Sequence, residues 1–160
     1  EISTQDPAWQ DPREMTKHLH FNRDQPQVDG DIYFSAKDVR ANRLGHMDIV
    51  QSEHYAHPAL LPVTADVPGR APRAVKRLDA DRNGDAVRLS WRGDGSSYAV
   101  YRIDGRPGPC DLIDATNLVA TVRNDAWVDR DAPGHRVTYV VTALDRAYRE
   151  SPPARAVVGR

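Results

Sequence analysis

The feature that most restricts the fold of this chain is a series of short two-residue alternations filling its second half. Val87, Leu89 and Trp91 fall on one face of an extended segment, and Tyr98 and Val100 on one face of the next. Leu118, Ala120 and Val122 repeat the period, as do Tyr139, Val141 and Ala143, and shorter runs lie at 74–78, 127–128 and 154–158. About seven such segments between Gly-, Asp- and Pro-rich turns predict two packed sheets. The fold class is therefore mainly β over residues 73–160.

The pattern changes across 62–72, where Pro68, Gly69 and Pro72 interrupt regular structure and mark a linker. Residues 1–67 read instead as a short α/β segment. Asp11 is placed to cap a helix, Pro12 suits its first position, and Glu14 completes a box-like cap. That helix is expected to reach His20 or Asn22, with Met15 and Leu19 one turn apart on its inner face, and Pro26 is its outer limit. Ile32, Tyr33 and Phe34 read as a strand covered on both faces. A second helix is expected over 42–53, carrying Leu44, Met47, Ile49 and Val50. The partly apolar run 55–61 is expected to pack on a neighbouring surface. One strand with two helices leaves backbone groups unpaired, so further strands are expected from elsewhere. The start at Glu1, without an initiator Met or a signal peptide, points to a cut within a longer protein and to missing upstream sequence as their source.

Composition excludes several partners. With 39% apolar and 28% charged residues the chain is globular rather than disordered. Its 22 basic and 23 acidic residues form no extended basic stripe, so no nucleic-acid partner is expected. The apolar runs are too short for a transmembrane segment. Cys110 is the single cysteine, which rules out an intrachain disulfide. It follows Pro107, Gly108 and Pro109 in an expected loop, with nothing nearby in sequence to activate it.

Trp91, the run Tyr98-Ala99-Val100-Tyr101-Arg102, and Tyr139-Val140-Val141-Thr142-Ala143-Leu144-Asp145 with Glu150-Ser151 together resemble the fibronectin type III family. The resemblance implies that Trp91 is the core tryptophan and Tyr139 the late-strand tyrosine that fixes a neighbouring loop. The front segment resembles the end of a bacterial glycoside-hydrolase-like TIM barrel, the YngK-like family. The matching stretches are Trp9 with Asp11-Pro12-Arg13-Glu14, Asn22-Arg23, Gly30-Asp31-Ile32-Tyr33-Phe34-Ser35-Ala36-Lys37, and Tyr55-Ala56-His57-Pro58-Ala59-Leu60-Leu61-Pro62. By that resemblance they cover the seventh barrel helix, the eighth strand and the last helix. The family implies carbohydrate-active enzymes, some associated with peptidoglycan, in an extracytoplasmic or envelope setting. Glycosidic hydrolysis needs two carboxylates across the scissile bond. The resemblance places that pair on earlier strands, so the chain is expected to be a non-catalytic C-terminal part of such a protein, with the sandwich bracing the barrel. The rival expectation is a carbohydrate- or protein-binding module.

Three residues are candidates for substrate binding. Trp9 would sit in the loop after strand seven, where its ring could stack on a sugar, against the plainer reading of structural packing. Ser35 and Lys37 fall at the end of the eighth strand, where barrel enzymes place functional groups, although a solvated lysine opening a loop explains Lys37 equally well.

Other motifs are set aside. His18 and His20 are two apart on a helix and face different ways, and His54 and His57 lack a third ligand at characteristic spacing, so no metal site and no cofactor are expected. Asp79-Ala80-Asp81-Arg82-Asn83-Gly84-Asp85 matches the first half of an EF-hand loop. Its twelfth position is Ser90, and its flanks alternate like strands, which favours a strand-connecting turn. Arg92-Gly93-Asp94 is an integrin-associated tripeptide, read here as a tight turn using Gly93 and Gly95.

Overall fold

In a computed structural model, structure is described for residues 7–28, 30–108, 110–112 and 114–159, the side chains of residues 8 and 9 excepted. The chain forms two compact units, Glu1–Ala56 and His57–Arg160.

The second unit is a two-sheet, fibronectin type III-like sandwich. Its strands are β1 (Lys76–Asn83), β2 (Ala86–Arg92), β3 (Ser97–Asp104), β4 (Leu118–Val122), β5 (Ala126–Asp129), β6 (Val137–Leu144) and β7 (Ala154–Val158). One sheet has the order β1-β2-β5 and the other β4-β3-β6-β7, and the pairings within both are antiparallel. Between the sheets lie Val87, Leu89 and Trp91 from β2, Tyr98 and Val100 from β3, and Tyr139, Val141 and Ala143 from β6. These are the faces that the alternation predicted. Trp91 packs edge-on against Tyr98, with ring centroids 5.3 Å apart.

The four-stranded sheet departs from simple alternation in being covered on both faces. Ala99, Tyr101 and Ile103 join Leu118, Val140 and Leu144 in a second apolar cluster, over which Leu60 and Leu112 pack. Leu118 therefore does not share a face with Ala120 and Val122 as expected. A register shift between Val100 and Tyr101 sets Val100 opposite Ala120 and Tyr101 opposite Leu118. The extra residue on β4 is a bulge, which moves Leu118 to the other face.

Residues 57–72 make contacts with the sandwich inside this unit. Besides Leu60, the Thr64 amide donates to the Ala147 carbonyl at 3.0 Å, and Arg149 Nη1 donates to the Val67 carbonyl at 2.7 Å.

The EF-hand-like stretch lies in β1 and the turn after it. Asp79, Asp81 and Asn83 pair with Ser90, Arg88 and Ala86 of β2, and Gly84 takes the positive φ of 61° that this tight turn requires. Arg92 ends β2, and Gly93 follows in the β2–β3 connection. A Cβ on Gly93 would lie 2.8 Å from the Tyr98 ring, so close packing, not display, fixes this glycine.

In the first unit, α1 (Glu14–Arg23) packs on α3 (His46–His54), burying Leu19 and Val50. The helix starts later than predicted. Asp11 Oδ1 accepts from the Arg13 amide at 2.8 Å, and Arg13 itself occupies the cap position without a side-chain bond. Glu14 completes no capping box but faces Lys17 and His18 at 3.1 and 3.3 Å. The helix expected over 42–53 is broken at its start by Asn42 and Leu44, both with positive φ, and Leu44 is exposed. An unpredicted short helix, α2 (Ala36–Ala41), precedes it.

The strand expected at 32–34 does not form. Those residues are irregular, with Ile32 97% and Phe34 88% exposed. Among the described residues the first unit contains no strand that could take up their N–H and C=O groups. A barrel strand without neighbours has nothing to hold it extended.

Candidate functional site

The first unit holds a cleft of about 350 Å³. Met15 and Leu19 of α1, Val39 of α2 and Met47 of α3 give it apolar walls, and Ile32 and Phe34 line it as well. His46 also lines the cleft; it is 1% exposed, and neither of its ring nitrogens has a hydrogen-bond partner. Asn22 Nδ2 donates to Asp31 Oδ1 at the cleft, bridging α1 to the 32–34 segment.

Of the residues singled out in the sequence, Ser35 precedes α2 as its cap residue, and its hydroxyl donates to Asp38 Oδ2 at 2.9 Å. That bond lowers the Asp38 pKa. Ser35 thus has a local structural partner at the start of a helix, not a place at a strand end. Lys37 is exposed in the first turn of the same helix. Trp9 belongs to a short 3-10 helix, Pro7–Gln10, and its side chain lies outside the described residues. Neither Ser35 nor Lys37 is among the residues lining the cleft.

Asp11, Asp38, Asp114 and Asp145 are each held below the ordinary carboxylate range by their hydrogen-bond partners. Asp11 is lowered by the Lys17 ammonium 2.6 Å away and then by the Arg13 amide, and Asp114 by the Thr116 hydroxyl and amide. Burial pushes Asp145 up, but hydrogen bonds from the backbone amides of Arg149 and Ala147 and from the Arg149 side chain outweigh it.

The sequence reading overlooked a side-chain cluster that α1 and α3 bring together. Ligand atoms of His20, Glu53 and His54 all lie within 4.8 Å of one another. The His20 and His54 rings meet edge-on at 4.8 Å between centroids, and both His54 ring nitrogens are buried without a hydrogen-bond partner. Sequence spacing pairs His18 with His20 and His54 with His57. The contact runs between residues 34 apart, and only the packing of α1 on α3 produces it. A signal was nonetheless present, since His20 follows buried Leu19 and His54 lies one turn from buried Val50.

In the sandwich the polar landmarks are tied into structure. Glu150 Oε1 accepts from Tyr101 and Thr142 hydroxyls, each at 2.7 Å, and Ser151 Oγ accepts from the Ala143 amide at 2.9 Å. Cys110 is a free, exposed thiol. No helix among the described residues is long and apolar enough to cross a membrane.

No family model matches the chain. Among solved structures, a Fn3-like protein from Clostridium thermocellum is 28% identical, with a TM-score of 0.45 over 55% of this chain and 92% of that one. The spore cortex lytic enzyme SleM of Clostridium perfringens is 18% identical, with a TM-score of 0.43 over 56% of this chain and 28% of that one. The glycosyl hydrolase YngK of Bacillus subtilis (strain 168) is 31% identical over 159 residues, an alignment covering 91% of this chain and 30% of YngK. The chain thus spans under a third of the length of that curated relative, and along nearly all its own length it is homologous to part of a glycosyl-hydrolase-like protein.

Proposed function

We propose that this chain is the non-catalytic C-terminal part of a glycoside-hydrolase-like protein that acts on bacterial cell-wall or related glycans outside the cytoplasm. In this reading the first unit supplies the last elements of a TIM barrel, and the sandwich serves as a support module. One observation carries the reading: in a chain similar to a glycosyl hydrolase, Ile32 and Phe34 stand almost fully exposed on a cleft lined by both apolar and polar side chains. Two large apolar side chains two residues apart are what a barrel strand turns toward one layer of its surroundings. Left in water they are an unmet demand for a covering layer, which a barrel interior or its surrounding helices supply once neighbouring strands pair the backbone.

In the sandwich Trp127 and Tyr148 are half-buried and the other described aromatic side chains are buried. Hydrogen exchange tests the barrel reading. In a polypeptide extended by the upstream sequence of the parent gene, the amides of residues 31–34 should exchange far more slowly than in this chain alone. Equal exchange in both would show that no strand partner exists and would defeat the reading.

A further inference from the structure

We propose that His20, Glu53 and His54 form a binding site for one divalent transition-metal ion of the zinc class, clamping α1 to α3. Two imidazoles and one carboxylate make a donor set suited to zinc, with a position left for water. Their ligand atoms already lie within 4.8 Å of one another. A tetrahedral ion with bonds of about 2.1 Å holds its ligands about 3.4 Å apart. Side-chain rotation of His20 and Glu53, both exposed, is the route to the remaining closure.

The second observation is independent of that proximity. Both ring nitrogens of His54 are shielded from solvent, and neither donates nor accepts a hydrogen bond. His54 as a whole is half-buried, but ring nitrogens shielded in this way normally find at least one partner, and a metal ion is one that serves. Glu53 is oriented from behind. The Arg13 guanidinium grips both its oxygens, Nη1 to Oε1 at 2.7 Å and Nη2 to Oε2 at 3.0 Å. Each oxygen keeps a second lone pair, so the carboxylate can bind a metal while Arg13 serves as the outer partner that fixes it.

The test is calorimetric titration of zinc chloride into the chelator-stripped whole chain, with thermal melting alongside. The expected result is saturable binding of one ion per chain and a melting temperature that rises with zinc. Removing a ligand should weaken binding by more than the roughly 10–100-fold that loss of an outer partner costs. His54→Ala and His20→Ala should both do so, while His135→Ala, in the sandwich, leaves binding unchanged. Since His20 is exposed, His20→Ala keeps the test decisive should His54→Ala fail to fold. Absence of saturable binding at millimolar zinc, or binding undiminished in His20→Ala, would overturn the proposal.

Discussion

The Tyr139 hydroxyl donates a 2.7 Å hydrogen bond to Oδ2 of Asp129, joining β6 of one sheet to the end of β5 in the other. Tyr139 is fully buried, and Asp129 is 3% exposed. The same oxygen accepts from Arg102 Nη1 at 2.8 Å, while Oδ1 accepts from the Asp131 amide. The carboxylate thereby anchors the start of the β5–β6 connection, the loop-fixing role that the resemblance implied for Tyr139. Burial first, and then the Asp129 contact, push the tyrosine pKa far above its ordinary value.

Tyr139→Phe removes this bond while keeping the ring. A hydrogen bond to a charged partner contributes about 1.5–3 kcal/mol, and urea denaturation of the variant should show a loss in that range. A loss below about 0.5 kcal/mol would mean that Arg102 alone holds the carboxylate.

Trp91 is 3% exposed beside Val87 and Leu89, which are fully buried. Trp91→Ala should cost the sandwich about 3–5 kcal/mol in denaturant melting. Trp91→Phe should cost less, because the indole nitrogen has no hydrogen-bond partner to lose. A cost of under about 1 kcal/mol for the alanine variant would contradict core placement.

These two residues were legible because a sandwich writes itself into sequence with period two and with turn residues at each reversal. The bulge that carries Leu118 to the other face was not, since one extra residue changes the register without disturbing composition. The first unit was harder to read. Ala36–Ala41 has no buried residue, so no apolar stripe marks it as a helix. Ile32, Tyr33 and Phe34 look like a strand locally, but a strand is made by its neighbours. The His20–His54 contact depends on the α1–α3 interface, which no spacing rule within one helix encodes.

Asp79, Asp81 and Asn83 should bind no calcium specifically. They are spread along β1 in register with β2, and Ser90 cannot supply the bidentate carboxylate of a complete loop. Calcium titration by calorimetry should give no saturable heat. Micromolar saturable binding would contradict the hairpin assignment.

His54 should titrate below the ordinary histidine value of about 6.5 in metal-free protein. Burial lowers it first, followed by the charges of Arg23 and His20, while Glu53 and Asp31 oppose them. A folded pKa below the unfolded one means that the unfolded chain binds the extra proton. The stabilising contribution is therefore present above the unfolded value and is lost as pH falls through the folded one. Proton NMR titration of the ring should show the lowered midpoint, and a midpoint above the ordinary value would show that Glu53 and Asp31 dominate.

The proposed function makes this chain the non-catalytic part of a glycoside-hydrolase-like protein. Incubation of the purified chain with denuded peptidoglycan strands, followed by mass spectrometry of the products, tests that claim directly. Barrel enzymes draw their catalytic groups from several strand ends, and no strand is described in the first unit. Asp11, Glu14 and Asp38 are engaged by Lys17, His18 and Ser35, respectively. The account predicts no cleavage products from the chain alone. Reproducible cleavage that disappears when carboxylates of this chain are replaced by their amides would contradict it.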